Sequence, residues 1–364
     1  MSVFVRNVSM ALTMVALAGG ASIVSAQQAP VVMAEGLDNP RGLAFGPDGA
    51  LYVVEAGRGG ASALCLPTPN GMGTRCYGAT GAVTRVTAPG VQQRVLIGLP
   101  SLAVPSGAEA TGPHDIDFGF GSAFITVGSG GDPALLQPFR QANVPFGRLL
   151  QVSLQGNITQ LVDVAAYETL NNPDAGLPDS NAFGLDILSD RGVITDAGAN
   201  ALLQVAPNLA VSTLAVFPNR MVPGPGGVPV PMQSVPTSVV EGPDGSLYVG
   251  ELTGFPFPVG GARVYRVPAA GGTPVVVAEG FTNIIDIAIG GDGSAYVLEH
   301  DANSLLTPGS VGRLTKIGPF GERTELAPGL LVAPGKMTIG TDNAIYLTVN
   351  SASAGTGQVW RIAQ

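Results

Sequence analysis

The chain has 364 residues and a formal charge of −9 at pH 7, because 26 acidic side chains outnumber 17 basic ones. This acidity, without any cluster of Lys and Arg, argues against nucleic acids and anionic membranes as partners. Hydrophobic residues make up 45% of the chain, and it contains 52 Gly and 30 Pro. A chain this apolar is not disordered, and its Gly and Pro content indicates short buried strands joined by tight turns.

The first 26 residues have the features of a secretory signal peptide. Arg6 provides a positive charge, an apolar core extends from Val8 to Val24, and Val24-Ser25-Ala26 resembles a cleavage site. A retained membrane anchor is the alternative, but a spanning helix needs about 20 consecutive apolar residues. We expect cleavage after Ala26, which removes Arg6 and changes the formal charge from −9 to −10. The mature protein is then secreted or periplasmic, with no membrane span.

One pattern recurs six times along the remaining chain: an apolar strand, a turn containing Gly or Asp, and a second strand with a small or polar end. The copies are NPRGLAFGPDGALYVVEAG from Asn39, GPHDIDFGFGSAFITVGSG from Gly112, SNAFGLDILSDRGVITDAG from Ser180, VPTSVVEGPDGSLYVGELTG from Val235, TNIIDIAIGGDGSAYVLEH from Thr282 and APGKMTIGTDNAIYLTVN from Ala333. The turns PDG, GDG and TDN contain residues that tolerate positive φ, as tight hairpins require. Each copy therefore predicts a β-hairpin.

Further strand signals lie between the copies. Four strands per repeat, at intervals of about 50 to 70 residues, are typical of a β-propeller. GQVWRI near the C-terminus is a third strand with no fourth, and VVMAEG from Val31 is a fourth strand with no blade before it. We predict an all-β fold, with residues 27–364 forming a single six-bladed β-propeller. Pairing of the N-terminal and C-terminal strands closes the ring and removes an open edge.

Cys65 and Cys76 are the only two cysteines of the chain. In an oxidising compartment this pair predicts a disulfide. A metal site at the cysteines is disfavoured, because neither has another Cys or a His nearby. The disulfide falls in GRGGASALCLPTPNGMGTRCYGATG, the loop after the first hairpin, which we expect to form a stapled flap.

Several of these segments resemble the ScyD/ScyE family, secreted propeller-like proteins named for scytonemin-pigment gene clusters. The similarity is carried by LDNPRGLAFGPDGALYVVEAGRGG, TGAVTRV, ATGPHDIDF, DAGANALLQV, SVPTSVVEGPDGSLYVGELTGFPFPVGGARVYRV and GFTNIIDIAIGGDGSAYVLE. It covers nearly the whole mature chain. The resemblance implies a secreted propeller and implies no particular reaction.

In a propeller, the innermost strands begin and the second strands end around one mouth of the central channel. The inner-strand starts are Arg41, His114, Phe183, Thr237, Ile285 and Gly335, followed by Gly42, Asp115, Gly184, Ser238, Asp286 and Lys336. The second strands end at Glu55, Ser129, Asp196, Glu251, Glu299 with His300, and Asn350. These positions predict a polar ring that either binds a ligand or lines a water-filled channel. Carboxylates gathered there would shift each other's pKa values and could hold a cation.

His114 and Asp115 are the candidate catalytic residues. An imidazole is suited to proton abstraction, with Asp115 or Asp132 orienting it. Alternatively, His114 bonds a backbone carbonyl and fills the channel rim. Adjacent residues on a strand point to opposite faces, which makes Asp115 a poor partner and favours the structural interpretation.

A binding propeller is the favoured function, with a small molecule or a protein held at the polar mouth and no turnover. Candidate ligand-binding residues are Arg41, Glu55, Asp196, Glu251, Phe255, Phe257 and Glu299. Phe255 and Phe257 belong to the loop LTGFPFPVGG, whose prolines restrict it, so little ordering entropy is lost on binding. We expect a monomer.

Two enzymatic alternatives remain open. A metal-dependent hydrolase of the gluconolactonase kind would use a divalent cation such as calcium, with Glu55, Asn181, Glu251 and Asn283 as candidate ligands. A quinone-dependent sugar dehydrogenase would need cationic residues for the quinone carboxylates, and the mouth offers chiefly Arg41 and Lys336. Fold analogy alone does not decide between them.

Overall fold

The computed structural model describes residues 29–68, 71, 73–153, 156–307, 309 and 311–364. The predicted signal peptide, residues 1–26, lies outside the described residues. Six antiparallel sheets surround a central axis, which confirms the six-bladed β-propeller. In blades 1 to 5 the chain runs from the innermost strand outward, whereas the outermost strand of blade 6 comes from the N-terminal end of the described chain.

The strands follow one another in chain order, starting with β1 (Val31–Leu37). Blade 1 contains β2 (Pro40–Phe45), β3 (Leu51–Glu55), β4 (Cys65–Pro67), β5 (Thr74–Ala88) and β6 (Val91–Ala103). Blade 2 contains β7 (Pro113–Gly119), β8 (Ser122–Val127), β9 (Arg148–Ser153) and β10 (Ile158–Asp163). Blade 3 contains β11 (Ala182–Ile187), β12 (Gly192–Asp196), β13 (Ala201–Val205) and β14 (Val211–Val216).

A separate hairpin of β15 (Arg220–Pro223) and β16 (Pro229–Met232) precedes the second half of the ring. Blade 4 contains β17 (Pro236–Glu241), β18 (Leu247–Glu251), β19 (Ala262–Val267) and β20 (Val275–Phe281). Blade 5 contains β21 (Asn283–Ile289), β22 (Ala295–Asp301), β23 (Arg313–Ile317) and β24 (Arg323–Leu326). Blade 6 contains β25 (Met337–Ile339), β26 (Ile345–Val349) and β27 (Gly357–Ile362), together with β1.

The turn between the first two strands recurs because its sequence suits its backbone. In blade 1 the Gly46 N–H donates to Ala50 O and the Gly49 N–H donates to Gly46 O. Asp48 Oδ1 accepts from the Ala50 N–H at 3.2 Å. Gly49 has φ +76°, a left-handed conformation that glycine adopts without steric cost. Blades 4 and 5 repeat both backbone bonds with glycine at the same position, and blade 6 repeats them with Asn343.

The hydrophobic core lies mainly between neighbouring blades. Aromatic side chains cross these junctions, as between Tyr52 of blade 1 and Phe118 of blade 2, whose ring centroids are 5.1 Å apart. Phe45 of blade 1 meets Tyr346 of blade 6 edge-on at the same distance, 5.1 Å. Offset and edge-to-face pairs of this kind stabilise aromatic packing beyond area burial. A buried hydrophobic cluster lies at each of the six junctions, so blade–blade contact continues around the whole ring.

The ring is closed as the sequence predicts. Strand β1 pairs antiparallel with β27, with Val31 opposite Arg361 and Val32 opposite Trp360. Ala34 is fully buried, whereas Val32 on the same strand is 40% exposed. Because β1 supplies the outermost strand of blade 6, the two ends of the propeller are held together by one sheet.

In the part of the chain that the structure describes, two short α-helices interrupt the strand pattern: α1 (Gln137–Gln141) and α2 (Val164–Asn171). Asp163 caps α2 by accepting from the Ala166 N–H at 2.9 Å, as N-cap carboxylates commonly do. The helix is followed by its C-cap Asn172, whose φ of 40° is left-handed. None of the helices in the described ranges is long and apolar enough to cross a membrane.

The closure predicts different effects for the same substitution at two positions of β1. Ala34→Asp places an unpaired carboxylate in the core and should lower the free energy of unfolding by about 3 kcal/mol or more. Val32→Asp places it on the exposed face and should cost about 1 kcal/mol or less. Chemical denaturation of both variants measures the difference, and equal losses would contradict the role of β1.

Candidate functional site

Lys336 spans the axis of the propeller. Its Nζ lies 3.0 Å from Asp115 Oδ2 and 3.2 Å from Asp286 Oδ1, in blades 2 and 5. It also donates to Thr237 O of blade 4 at 2.9 Å. Burial lowers the pKa of Lys336, but the two carboxylates outweigh this effect and raise its pKa overall. The ammonium group therefore stays charged, and its three donors are used to join four blades.

The six innermost strands line a cavity of about 260 Å³. Four of its lining residues are Asp115, Asp117, Asp186 and Asp286. Asp117 accepts from the Ile187 N–H at 2.6 Å, and Asp186 accepts from the Glu241 N–H at 2.7 Å. Each of these bonds reaches the innermost strand of the next blade. The carboxylates therefore satisfy the open backbone edges of these strands.

The pKa values of Asp117, Asp186 and Asp286 are raised. Burial is the largest cause, and neighbouring carboxylates add to it. The pKa of Asp117 reaches about 7, and that of Asp186 reaches about 6. Burial also raises the pKa of Asp286 to about 6, although Lys336 acts in the opposite direction. The axis thus carries several groups that titrate near neutral pH.

The acidic residues at the second-strand ends lie inside their own blades. Glu55, Asp196, Glu251 and Glu299 are fully buried and belong to blades 1, 3, 4 and 5. Each accepts a bond from the segment that enters its own blade: Asp38 N at 2.7 Å, Asn181 N at 2.6 Å, Ser234 Oγ at 2.6 Å and Thr282 N at 2.6 Å, respectively. These bonds fasten the incoming loop. The structure does not bring the four carboxylates together as one ring.

The candidate metal ligands are also dispersed. Glu55 pairs with Arg94 at 2.5 Å in blade 1, and Glu251 pairs with Arg220 beside blade 4, on the opposite side of the ring. The amide of Asn283 donates to Leu252 O and accepts from the Leu305 N–H. Across the described ranges, no group of three or more His, Cys, Asp or Glu is placed to hold a metal ion.

His114 is buried and lies 3.2 Å from Ala182 O through its Nδ1. A carbonyl oxygen only accepts, so Nδ1 carries the proton. Its ring stacks on Phe183 at 4.4 Å between centroids. Burial, followed by the charge of Arg41, lowers the pKa of His114 to about 3. The imidazole is therefore neutral at pH 7 and a weak base.

Asp115 and Asp132, the residues considered as orienting groups for His114, have other hydrogen-bond partners. Asp115 accepts from the Leu185 N–H at 3.1 Å and from Lys336, and Asp132 caps a 3-10 helix, Pro133–Leu136. His300 also bonds a carbonyl of the next blade, with Nδ1 2.7 Å from Pro334 O. Both histidines thus link neighbouring blades, and a catalytic role of His114 stays a prediction.

The predicted disulfide is confirmed and shapes the flap. Cys65 and Cys76 face each other across β4 and β5 with an S–S distance of 2.02 Å. Arg75, next to Cys76, is only 4% exposed. It donates to Thr111 Oγ1 at 2.8 Å and to Gly130 O at 3.1 Å. The flap therefore carries a guanidinium to Thr111 and Gly130 of blade 2. This position was not predicted from the sequence, although Arg75 adjoins the disulfide.

Arg75, Asn181 and His114 each approach the loop GSGGDP. A Cβ on Gly128 would lie 2.2 Å from Asn181 Oδ1 and 2.3 Å from His114 Cε1, so only glycine allows this approach. A Cβ on Gly130 would lie 3.9 Å from both Arg75 Nη1 and Asn181 Cγ. The innermost strands begin in this region. We call it the upper mouth, and it includes Arg75, His114, Gly128, Gly130 and Asn181.

Arg41 joins the upper mouth from blade 1. Its Nη2 donates to Ala110 O at 2.9 Å, next to the Thr111 that Arg75 holds. Burial lowers the pKa of Arg41 to about 10, while the charge of Glu109 acts in the opposite direction. Three buried polar atoms here have no hydrogen-bond partner: Arg41 Nε, Arg75 Nε and Asn181 Oδ1.

The two candidate aromatic residues differ in exposure. Phe255 is 51% exposed, and Phe257 is half-buried. Their loop follows β18, and the Thr253 and Gly254 N–H groups donate to Ser234 O and Gln233 O. Phe255 thus exposes an aromatic side chain on a backbone-anchored loop, and a role of Phe255 and Phe257 in ligand binding stays a prediction.

No protein-family model and no curated protein matches the chain. Among solved structures, a glucose dehydrogenase aligns with a TM-score of 0.52 at 13% identity, covering 93% of this chain and 100% of that chain. Regucalcin, a calcium-binding protein from Agrobacterium tumefaciens, aligns with a TM-score of 0.49 at 15% identity, covering 92% and 93%. A streptogramin B lyase gives 0.47 at 12%, covering 92% and 97%. Similarity at these identities shows the propeller fold alone.

Lys336→Met tests the axial ion cluster. It leaves Asp115 and Asp286 buried without their cation, and should lower the free energy of unfolding by about 3 to 5 kcal/mol. The control is Lys316→Met, which removes a pair with Asp292 that lies nearer the surface and should cost about 1 kcal/mol or less. Urea denaturation compares the two variants. Similar losses would show that the axial position of Lys336 has no special weight.

Asp117 predicts a pH dependence of stability. Its pKa is about 7 in the folded protein and 3.8 in the reference state, so between these values the folded state binds a proton that the unfolded state has lost. This contribution is present at low pH and is lost as the pH rises through about 7. Thermal unfolding should therefore show stability falling between pH 5 and about 7.5. Asp117→Asn should flatten the curve, whereas the exposed control Asp190→Asn should leave it unchanged.

Proposed function

We propose that this protein is an exported propeller that binds a small molecule at the upper mouth without chemical turnover. The observation that carries the proposal is the group of buried, unpartnered polar atoms at Arg41, Arg75 and Asn181. Buried polar groups are normally hydrogen-bonded, so those that lack a partner call for an explanation. A ligand that bonds to them supplies it. The proposal keeps the protein within a ScyD/ScyE-like group of secreted propellers.

Export is supported by two features of the chain. The N-terminal 26 residues have the composition of a signal peptide, and the Cys65–Cys76 disulfide fits an oxidising compartment. The disulfide also fastens the flap that carries Arg75. We therefore place binding in the periplasm or outside the cell.

Binding without turnover is supported by the commitments of the chemically active side chains. Lys336 is occupied by two carboxylates and a carbonyl, and Asp115 accepts bonds from Lys336 and from the backbone. A His114 with a pKa of about 3 is far from the pKa near the working pH that favours a general base. The free groups at the upper mouth are donors and acceptors, which serve recognition.

The enzymatic alternatives fit less well. A metal-dependent hydrolase needs its ligands together, whereas Glu55 and Glu251 are ion-paired in opposite blades. A quinone-dependent dehydrogenase needs cations for the quinone carboxylates. Lys336 is already paired with two aspartates, but Arg75 is available beside Arg41. This enzyme is therefore the second candidate. Metal analysis after dialysis and reduction of quinone with sugars test these alternatives directly.

The proposed function predicts a defined NMR response. The chain contains two histidines and one tryptophan, so the ring signals of His114 and Trp360 are simple to assign. Screening sugars, lactones, carboxylic acids and amines should yield a compound that shifts the His114 signal saturably and leaves Trp360, on the outer part of blade 6, unchanged. The compound should be recovered intact. Turnover that is lost in His114→Ala would instead identify an enzyme.

A further inference from the structure

The charges of the upper mouth define the class of ligand. We propose that the ligand carries an oxyanion, a carboxylate or phosphate group, held between Arg41 and Arg75. This inference rests on the proposed binding function and specifies its substrate class. It does not follow from the overall charge of the protein, which is negative.

Ion pairing distinguishes these two arginines from the others. Among the arginines that the structure describes, only Arg41, Arg75 and Arg323 take part in no ion pair. Arg323 is exposed and lies over the Phe281 ring at 4.6 Å. Arg75 is buried, and Arg41 is largely shielded with a buried Nε. A cation removed from water without a counter-ion is unfavourable, so a counter-ion supplied by a ligand is stabilising.

Neutral groups occupy part of each guanidinium, and the buried Nε–H of each is left without an acceptor. Arg75 donates to Thr111 Oγ1 through Nη1 and to Pro67 O and Gly130 O through Nη2. Arg41 donates to Ala110 O through Nη2. The Nε–H of both side chains has no acceptor. Carboxylate and phosphate oxygens accept strong, charge-assisted bonds from such donors.

The nearest acidic side chain does not fill this role. The charge of Glu109 acts on both Arg41 and Arg75, yet Glu109 is exposed and forms no ion pair with either of them. Burial lowers the pKa of Arg75 as well as that of Arg41. The shared segment Ala110–Thr111 holds the two guanidiniums on one side of the mouth. An incoming anion therefore meets two cations that lack a full counter-charge.

Arg75 reaches this position through the flap. It lies on β5 directly before Cys76, and the Cys65–Cys76 disulfide joins β5 to β4. Pro67 O, on β4, accepts one of the Arg75 bonds. The disulfide thereby fixes the distance between the guanidinium and one of its supports. Anion binding should weaken when the disulfide is removed.

Matched pairs of compounds test the charge requirement. Benzoate is compared with benzamide and acetate with acetamide, and inorganic phosphate is added to separate phosphate from carboxylate recognition. Titrations follow the His114 ring signal, with Trp360 as the remote control. We expect the charged member of a pair, or phosphate, to bind at least about tenfold more tightly than the neutral member.

Substitutions locate the binding. Arg41→Gln and Arg75→Gln should each weaken binding of the charged probe by about tenfold or more, whereas Arg323→Gln should leave it unchanged. Arg75→Lys should retain part of the affinity, since charge is kept and the guanidinium geometry is lost. The double variant Cys65→Ser with Cys76→Ser, folded as judged by circular dichroism, should bind more weakly than the parent protein.

Two outcomes would overturn the inference. In the first, the neutral compounds bind as tightly as the charged ones, and Arg41→Gln and Arg75→Gln leave the affinity unchanged. In the second, no anion binds saturably, while a neutral compound shifts the His114 signal. Either result would show a binding site without anion specificity. A different result would contradict the proposed binding function itself: no compound of the broader screen shifts the His114 signal at the upper mouth.

Discussion

The innermost strand of every blade is a sheet edge, and the propeller depends on how the backbone groups of these edges are satisfied. Side chains of one blade bond the innermost strand of the next. Carboxylates accept from N–H groups, as Asp117 does from Ile187 and Asp286 from Met337. Thr126 donates to Phe183 O at 2.7 Å on the carbonyl side. Since backbone groups left unpaired and buried are costly, these bonds join sheets that cannot share a ladder.

This solution concentrates negative charge at the axis. Burial raises the pKa of Asp117 and of Asp186, and the charge of Asp115 acts on both in the same direction. Lys336 supplies the compensating cation, and its bonds to Asp115 and Asp286 span opposite blades. The aspartates of the axis thus have partners within the fold. At the upper mouth, Arg41 Nε, Arg75 Nε and Asn181 Oδ1 are buried without a hydrogen-bond partner, and we propose the ligand site there because two of these atoms belong to cations.

The parts of the structure that depend on local signals were predictable from the sequence. Hairpin turns such as Gly46–Gly49, the blade number and the β1–β27 closure follow from turn residues and strand spacing. The direction of a side chain at a strand end was not predictable from the sequence. Glu55, for example, was expected at the channel but lies within blade 1. The Lys336 cluster and the position of Arg75 depend on contacts between blades and with the flap, which no single segment encodes.

The chain is acidic, so it has enough carboxylates to pair with the guanidiniums of Arg41 and Arg75. The turn aspartates of four blades pair with a cation on the third strand of the same blade: Asp48 with Arg85, Asp244 with Arg266, Asp292 with Lys316 and Asp342 with Arg361. Such exposed pairs contribute little to stability. Arg41 and Arg75, where pairing would matter more, are given neutral acceptors instead. A shielded guanidinium without a carboxylate partner is unfavourable for stability, and such exceptions are expected at functional sites. In the proposed site, a carboxylate of the protein would occupy the place of the ligand.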